Sequence, residues 1–370
     1  MIRTQLENVS VLVTCLGMAA CSAAPVSSGV IRSGQGGSGS NGGAGNVGGS
    51  DFVVGSGGNG LIAVDGGRPL RCDAAGDNCV CMNIAEIGTA GQFGSNPGQD
   101  GDVAFQSWMN DPNNSNAHVD LYKTKPTLDA TFLANYDILV LQSLSDNSAS
   151  GVYWTFSQAE LDAVAQWVND GGAIISLMGY SGNTSEINPT NQLLKFSNIS
   201  YNSDDIIIDN DCTMLRRDAN GVPNGQPMCY CDTAIGITDW NTDPAIKDIA
   251  NHDPSVSSMV VGAYHGRSIN VPSGAVVAAT FKTAAGPTYN VAVGESVGKG
   301  HVFAYCDEWI TYTSQWNGTG DSHSSEDWCQ GYLPQQIFQT AQFWFNMIKW
   351  SLPDAACFQI HDTQQPVLIW

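Results

Sequence analysis

The residues whose types and spacing can do chemistry fall in three short segments: Gly179-Tyr180-Ser181-Gly182, Ala263-Tyr264-His265-Gly266-Arg267 and Asp307-Glu308-Trp309. Ser181 has the hydroxyl of a nucleophile, which would need a histidine as base and an acid to orient that histidine. The segment lacks Gly-x-Ser-x-Gly spacing, so the plain alternative is a small turn residue. His265 lies in a loop between glycine-containing turns, where an imidazole can serve as base, as ligand or simply as surface. Asp307 and Glu308 end an apolar run, and carboxylates are rarely buried without a partner. Arg267 offers a fork of donors to either one. That pair reads equally as a bridge pinning the loop or as part of a binding site. Trp309 opens an aromatic series with Tyr312, Trp316, Trp328 and Tyr332. Such faces beside carboxylates and amides suit the C-H faces and hydroxyls of sugar rings, and equally suit core packing under a long loop.

These segments need a frame, and the stretch 136–182 supplies it. Tyr136-Asp137-Ile138-Leu139-Val140-Leu141-Gln142 is an apolar run too short for a helix and reads as a strand buried on both faces. Ser157-Gln158-Ala159-Glu160 has the spacing of a capping box. Leu161, Val164, Ala165 and Val168 recur at helical spacing, and Gly171-Gly172 ends the helix. Ala173-Ile174-Ile175-Ser176-Leu177-Met178 is a second buried strand. Strand, helix and strand make a right-handed crossover between parallel strands, and the turn 179–182 follows at the carboxyl end, where open α/β sheets place their sites.

Upstream, strands are expected at 80–85 and 118–122, with a helix over 102–109 and another over 127–135 capped by Thr127. The glycine-rich loop 88–101 lacks both Gly-x-Gly-x-x-Gly and Gly-Lys-Ser/Thr, so it is not read as a phosphate cradle. Downstream come a helix over 190–196, strands at 275–281, 290–295 and 301–306, and an amphipathic closing helix over 335–351. The fold class is α/β, a doubly wound, mostly parallel flavodoxin-like sheet with a cysteine-rich insertion at about 204–234.

Asp and Glu outnumber Lys and Arg 35 to 14 in 370 residues, for a formal charge of -21. This speaks against nucleic acid or an anionic membrane surface as partner, since both need clustered cations. Residues 1–21 read as a secretory signal: Arg3 precedes an apolar stretch over 9–20, short of the roughly 20 residues that span a bilayer. Its end, Met18-Ala19-Ala20-Cys21, resembles a bacterial lipobox, with Cys21 as the lipidated residue. Ordinary cleavage near Ala24 is the alternative. Residues 22–69, rich in Gly and Ser, form a tether, 70–357 the α/β domain and 358–370 a tail. The expected location is the outer membrane or cell surface, or the secreted fraction, with membrane contact only through the N-terminal lipid.

Beyond Cys15 and Cys21, 11 - 2 = 9 cysteines remain. Four disulfides and one free thiol is the simplest count in an oxidising compartment, with Cys212 expected to join the Cys229/Cys231 cluster. Cys-x-Cys pairs are not zinc-ribbon spacing. The acidic run Asp204-Asp205 and Asp209-Asn210-Asp211 offers hard oxygen ligands to calcium but lacks calcium-loop spacing, so a solvated face is the alternative. No cofactor is called for, although a divalent metal is compatible with these side chains.

Strand 136–142, the helix running into Gly171-Gly172, strand 173–178 and Gly298-Lys299-Gly300-His301-Val302-Phe303 together resemble the class I glutamine amidotransferase-like superfamily. The likeness is to its branches without amidotransferase activity, the ThuA-like proteins and the domain shared by gliding-motility and intraflagellar-transport proteins, and it covers about 80–350 apart from the insertion. That resemblance implies an elbow at 178–182 facing a late-strand acid, Glu308. It also implies a catalytic Cys on the elbow and a His two residues before the Glu. Here the elbow has no Cys, and Cys306 stands where the His belongs, so glutamine hydrolysis by the family mechanism is not expected. The functional expectation is an exported, lipid-anchored protein whose degenerate domain binds a glycan or a surface protein through Tyr180, Ser181, His265, Arg267, Asp307, Glu308 and Trp309. The alternatives are a hydrolase of a carbohydrate or related small molecule, with or without the assistance of a metal, with His265, Asp307, Glu308 or Ser181 as catalytic group, and a structural surface protein.

Overall fold

The computed structural model describes residues 61–62, 70–72, 79–89, 103–147, 151–178, 184–206, 214–217, 223–228, 235–263, 266–282, 287–311, 336–354, 357–360 and 367–369. All fall in the unit Val54–Trp370. Cys21, residues 22–60 of the tether and the cysteines Cys212, Cys229 and Cys231 lie outside the described residues, as do the elbow residues Tyr180 and Ser181 and the loop residue His265; within the span expected for the tether, Leu61–Ile62 pairs antiparallel with Leu70–Cys72.

The core is an eight-stranded sheet. In chain order its elements and flanking helices are β1 (Met82–Ile87), α1 (Val103–Asn110), β2 (Ala117–Tyr122), α2 (Ala130–Leu133), β3 (Ile138–Leu141), α3 (Gln158–Asn169), β4 (Ala173–Ser176), α4 (Ile187–Leu193), β5 (Asp239–Trp240), β6 (Val276–Lys282), β7 (Thr288–Val297), β8 (Gly300–Tyr305) and α5 (Thr340–Ser351). Their order across the sheet is β5-β6-β7-β8-β4-β3-β1-β2. The five strands β8, β4, β3, β1 and β2 are parallel, whereas β5, β6 and β7 extend the β8 side as an antiparallel ribbon. The sheet is therefore mostly parallel, as the near-continuous apolar runs of β3 and β4, buried on both faces, require.

Strand alternation sorts side chains into two layers. Met82, Ile84, Val140, Ile175, Phe303 and Tyr305 pack with Phe105 and Met109 of α1 and with Phe343, Trp344 and Met347 of α5. Ala85, Ile87, Leu139, Leu141, Ile174, Val302 and Ala304 pack with Val164 and Val168 of α3 and Leu193 of α4. Phe105 stacks on Trp344 with centroids 4.1 Å apart, joining α1 to α5. Each such buried aromatic or aliphatic side chain contributes about 1.5–3 kcal/mol.

Local signals held where they were chemical. Ser157 and Glu160 form the reciprocal capping box of α3, and Gly171 takes φ +122° beyond its end. Three helix boundaries differ from expectation. The helix expected from Thr127 is the short α2, capped by Asp129, whose carboxylate accepts from the Phe132 amide; Thr127 and Leu128 before it are not helical, and the Asp129 amide donates to the Thr127 carbonyl at 3.0 Å. The helix expected at 190–196 begins three residues earlier, after a 3-10 turn over Thr184–Glu186. The closing helix begins at Thr340, because Gln336–Phe338 is a strand. Cys81 at the start of β1 is disulfide-bonded to Cys357, and Cys306 is free and buried.

Candidate functional site

The parallel strands put the carboxyl ends of β1, β3, β4 and β8 on one edge. In register, Ile87 faces Leu141, Leu141 faces Ser176 and Ser176 faces Ala304. The residues following β4, which lead into 179–182, therefore leave the same edge as Asp307 and Glu308. The described residues stop at Met178 on the elbow side.

A row of buried polar side chains lies along this edge. Alternation along β1 sends Met82, Ile84 and Glu86 to one face, so Glu86 enters the layer shared with α1 and α5, fully buried. Gln142, the residue after β3, is also fully buried. Its amide nitrogen donates to Glu86 Oε1 at 2.7 Å and to Thr311 Oγ1 at 3.1 Å. Gln106 on α1 donates to the other Glu86 oxygen at 3.3 Å. Thr311 donates through its hydroxyl to the Glu308 carbonyl at 2.8 Å, closing the 3-10 turn Trp309–Thr311. A single relay of hydrogen bonds thus runs from the Glu86 carboxylate to the Glu308 peptide. Asp307 and Glu308 are both buried.

Among the described residues, Gln142 Oε1 and Ser143 Oγ on this edge are buried without a hydrogen bond. Rotating the Gln142 amide would turn its oxygen towards Glu86 and break the 2.7 Å bond, so the carboxylate fixes the amide's sense. Gly88, at φ +106°, lets β1 turn against β3 here; a Cβ on it would sit 2.5 Å from the Ser143 carbonyl.

Arg267 is at the edge, but its guanidinium does not serve Asp307 or Glu308. Its backbone amide donates to the Cys306 carbonyl at 3.1 Å. Its Nε donates to Glu186 Oε1 at 2.9 Å, Nη2 reaches the same oxygen, and Nη1 donates to the Asp204 carbonyl at 2.7 Å. Glu186 follows the elbow by a few residues and is as buried as Arg267, so the guanidinium is matched by a carboxylate of equal burial. Asp204, considered as a calcium ligand, instead accepts from the Ser268 amide at 2.9 Å and from its hydroxyl. Among the described residues no group of three His, Cys, Asp or Glu is placed to hold a metal ion.

Burial, reinforced by the charge of Asp307, pushes the Cys306 thiol up, so it is a neutral packing residue with no thiolate character. The Tyr201 hydroxyl spans the ends of β4 and β8, within 2.9 Å of the Ser176 carbonyl and 3.0 Å of the Tyr305 carbonyl; burial raises its pKa.

Of the residues singled out from sequence, Asp307, Glu308 and Arg267 meet at this edge. Tyr180, Ser181, His265 and the Trp309 side chain fall outside the described positions. Glu86, Gln142, Ser143, Thr311 and Glu186 went unnoticed in sequence. Only Glu86 carried a readable signal, a carboxylate between Ala85 and Ile87 in an apolar strand.

No protein-family model matches the chain. No curated protein matches it either. Among solved structures it is similar to the mmIFT52 N-terminal domain, at 12% identity and TM-score 0.44, covering 72% of this chain and 96% of that one. A ThuA-like protein from Bacteroides uniformis matches at 10% identity and TM-score 0.40, over 73% of this chain and 91% of that one. A cytoplasmic protein from Salmonella typhimurium matches at 10% identity and TM-score 0.36, over 72% and 98%. The likeness is one of chain arrangement. It carries nothing about activity.

Proposed function

We propose that the chain is an exported, lipid-anchored protein whose α/β domain binds a hydroxyl-rich ligand, a glycan, at the carboxyl edge of its sheet. The observation that carries this reading is the buried polar row of Glu86, Gln142 and Thr311, above all Gln142 Oε1, which is buried without a hydrogen bond among the described residues, as is Ser143 Oγ on the neighbouring residue. Leaving a buried polar group unpaired costs about 1–3 kcal/mol, and folds retain such groups where a ligand or ordered water completes them. Sugar hydroxyls both donate and accept, which is what a row of carboxylate, amide and hydroxyl groups complements. The absence of an elbow Cys and the neutral Cys306 argue against thiol chemistry at this edge. The position, outside the carboxyl ends of parallel strands, is where such sheets hold ligands.

A glycan array probed with the full chain tests this. Glu308→Gln is expected to weaken the wild-type signal about tenfold, with a melting temperature within about 3 °C of wild type. Unchanged binding with a lowered melting temperature would make Glu308 a structural anchor and remove the reading. Hydrolysis is the second reading, with the buried Glu86 and Glu308 carboxylates as its candidate acid and base. Release of reducing ends from the bound glycan, abolished in Glu86→Gln, would establish it.

A further inference from the structure

A second cleft lies away from the carboxyl edge, around the amino end of β8. It is about 650 Å³ and is bounded by α5, the 3-10 turn Lys247–Ala250 and the ribbon of β6 and β7. This is within the size range of small-ligand sites. We propose that this cleft is a carbohydrate-binding site that receives a neutral sugar ring against Trp350.

The argument starts from Gly294. Register places it opposite Phe303 on β8 and Val276 on β6, on the sheet face covered by α5. A Cβ there would lie 2.6 Å from the Trp350 ring, so the missing side chain is what lets the indole settle onto the strand. The ring is then fixed from several sides. Its Nε1 donates to the Ala245 carbonyl at 2.8 Å. His301 meets it edge-on at 5.0 Å and Phe303 at 5.7 Å. Burial lowers the His301 pKa, keeping the imidazole neutral beside the indole. Trp350 and Phe345 are nevertheless only partly buried and line the open cleft. A partly buried indole fixed in this way binds at low entropic cost, because little is left to immobilise.

The rim supplies polar groups of the right kind. Asp248 offers a carboxylate, Asn251 an amide and Ser296 a hydroxyl, all exposed. The charged side chains of the lining are Lys349 and Asp248, the latter ion-paired with Lys247 at 2.7 Å. Aromatic surface under a ring of mixed donors and acceptors matches a pyranose, whose C-H face is apolar and whose edge is hydroxylated.

Calorimetric titration of the full chain with four soluble hexaoses, of β-linked glucose, xylose, mannose and N-acetylglucosamine, tests the proposal. Wild type is expected to bind at least one. Trp350→Ala and Ser296→Tyr are each expected to weaken that binding about tenfold. Ser296 is exposed, so its replacement obstructs the cleft without touching the core and decides the matter should Trp350→Ala fail to fold. Binding of none of the four by wild type overturns the proposal. So does wild-type affinity in Ser296→Tyr, and loss in Glu308→Gln alone would then assign the binding to the carboxyl edge.

Discussion

Glu160 shows how much one carboxylate can be asked to hold. It accepts from the Ser157 amide and hydroxyl to cap α3 and from Lys125 Nζ, and its side chain is 11% exposed. Burial alone would raise its pKa, but these hydrogen bonds outweigh it and hold the group down to about 2, from 4.5 for a free side chain. A folded pKa below the unfolded one contributes stability that is fully present above the unfolded value and is lost as pH falls through the folded value. Glu160→Gln is therefore expected to cost about 2 kcal/mol at pH 7, with the gap to wild type closing as pH falls from 4.5 towards 2. Urea titrations at pH 7 and pH 3 measure it; an equal gap at both would show that the contribution is packing and not charge. Arg267 and Glu186 are a different case. Both are buried, and a buried pair gives little net stability while losing one partner is costly. Their role is to tie the segment after the elbow to the loop beside Cys306.

At the scale of elements, most of the sheet was legible because its signals are local. Apolar runs gave β3 and β4, the Ser157-Glu160 spacing gave α3, and Gly298-Lys299-Gly300 gave the turn into β8. What pairs with what is not local. Nothing in residues 276–297 says that they extend the parallel sheet as an antiparallel ribbon, and nothing near Arg267 says that Glu186 is its nearest carboxylate. The cysteines show the same limit: nine were countable, yet the bond from Cys81 to Cys357, 276 residues apart, is a product of topology. It fixes the segment after α5 to the entry of β1, where the Asn116 side chain also bonds the Cys357 carbonyl. Closing so long a loop restricts the unfolded chain strongly, so replacing both cysteines with alanine is expected to cost about 4 kcal/mol. Chemical denaturation in the absence of reductant checks this. A loss below about 1 kcal/mol would mean that the unfolded chain is already compact and gains little freedom.

The whole molecule poses a question of address. The formal charge of -21 would repel an anionic membrane surface at close range, and no helix among the described residues is long and apolar enough to cross a bilayer. The proposed anchor is a covalent lipid on Cys21, at the end of the lipobox-like Met18-Ala19-Ala20-Cys21. Acyl chains contribute about 0.8 kcal/mol per buried methylene, and stable anchoring takes more than one chain. From their composition alone, the Gly- and Ser-rich residues that follow are proposed to serve as a linker between that anchor and the acidic domain. In detergent-phase partitioning of cells expressing the full chain, wild type is expected in the detergent phase and Cys21→Ala in the aqueous phase. Shortening the tether while keeping Cys21 should leave the partitioning unchanged but reduce capture of large glycans, because only the reach of the domain is altered. Identical aqueous behaviour of wild type and Cys21→Ala would rule the anchor out and leave a secreted protein, whose carboxyl-edge site would then act in solution.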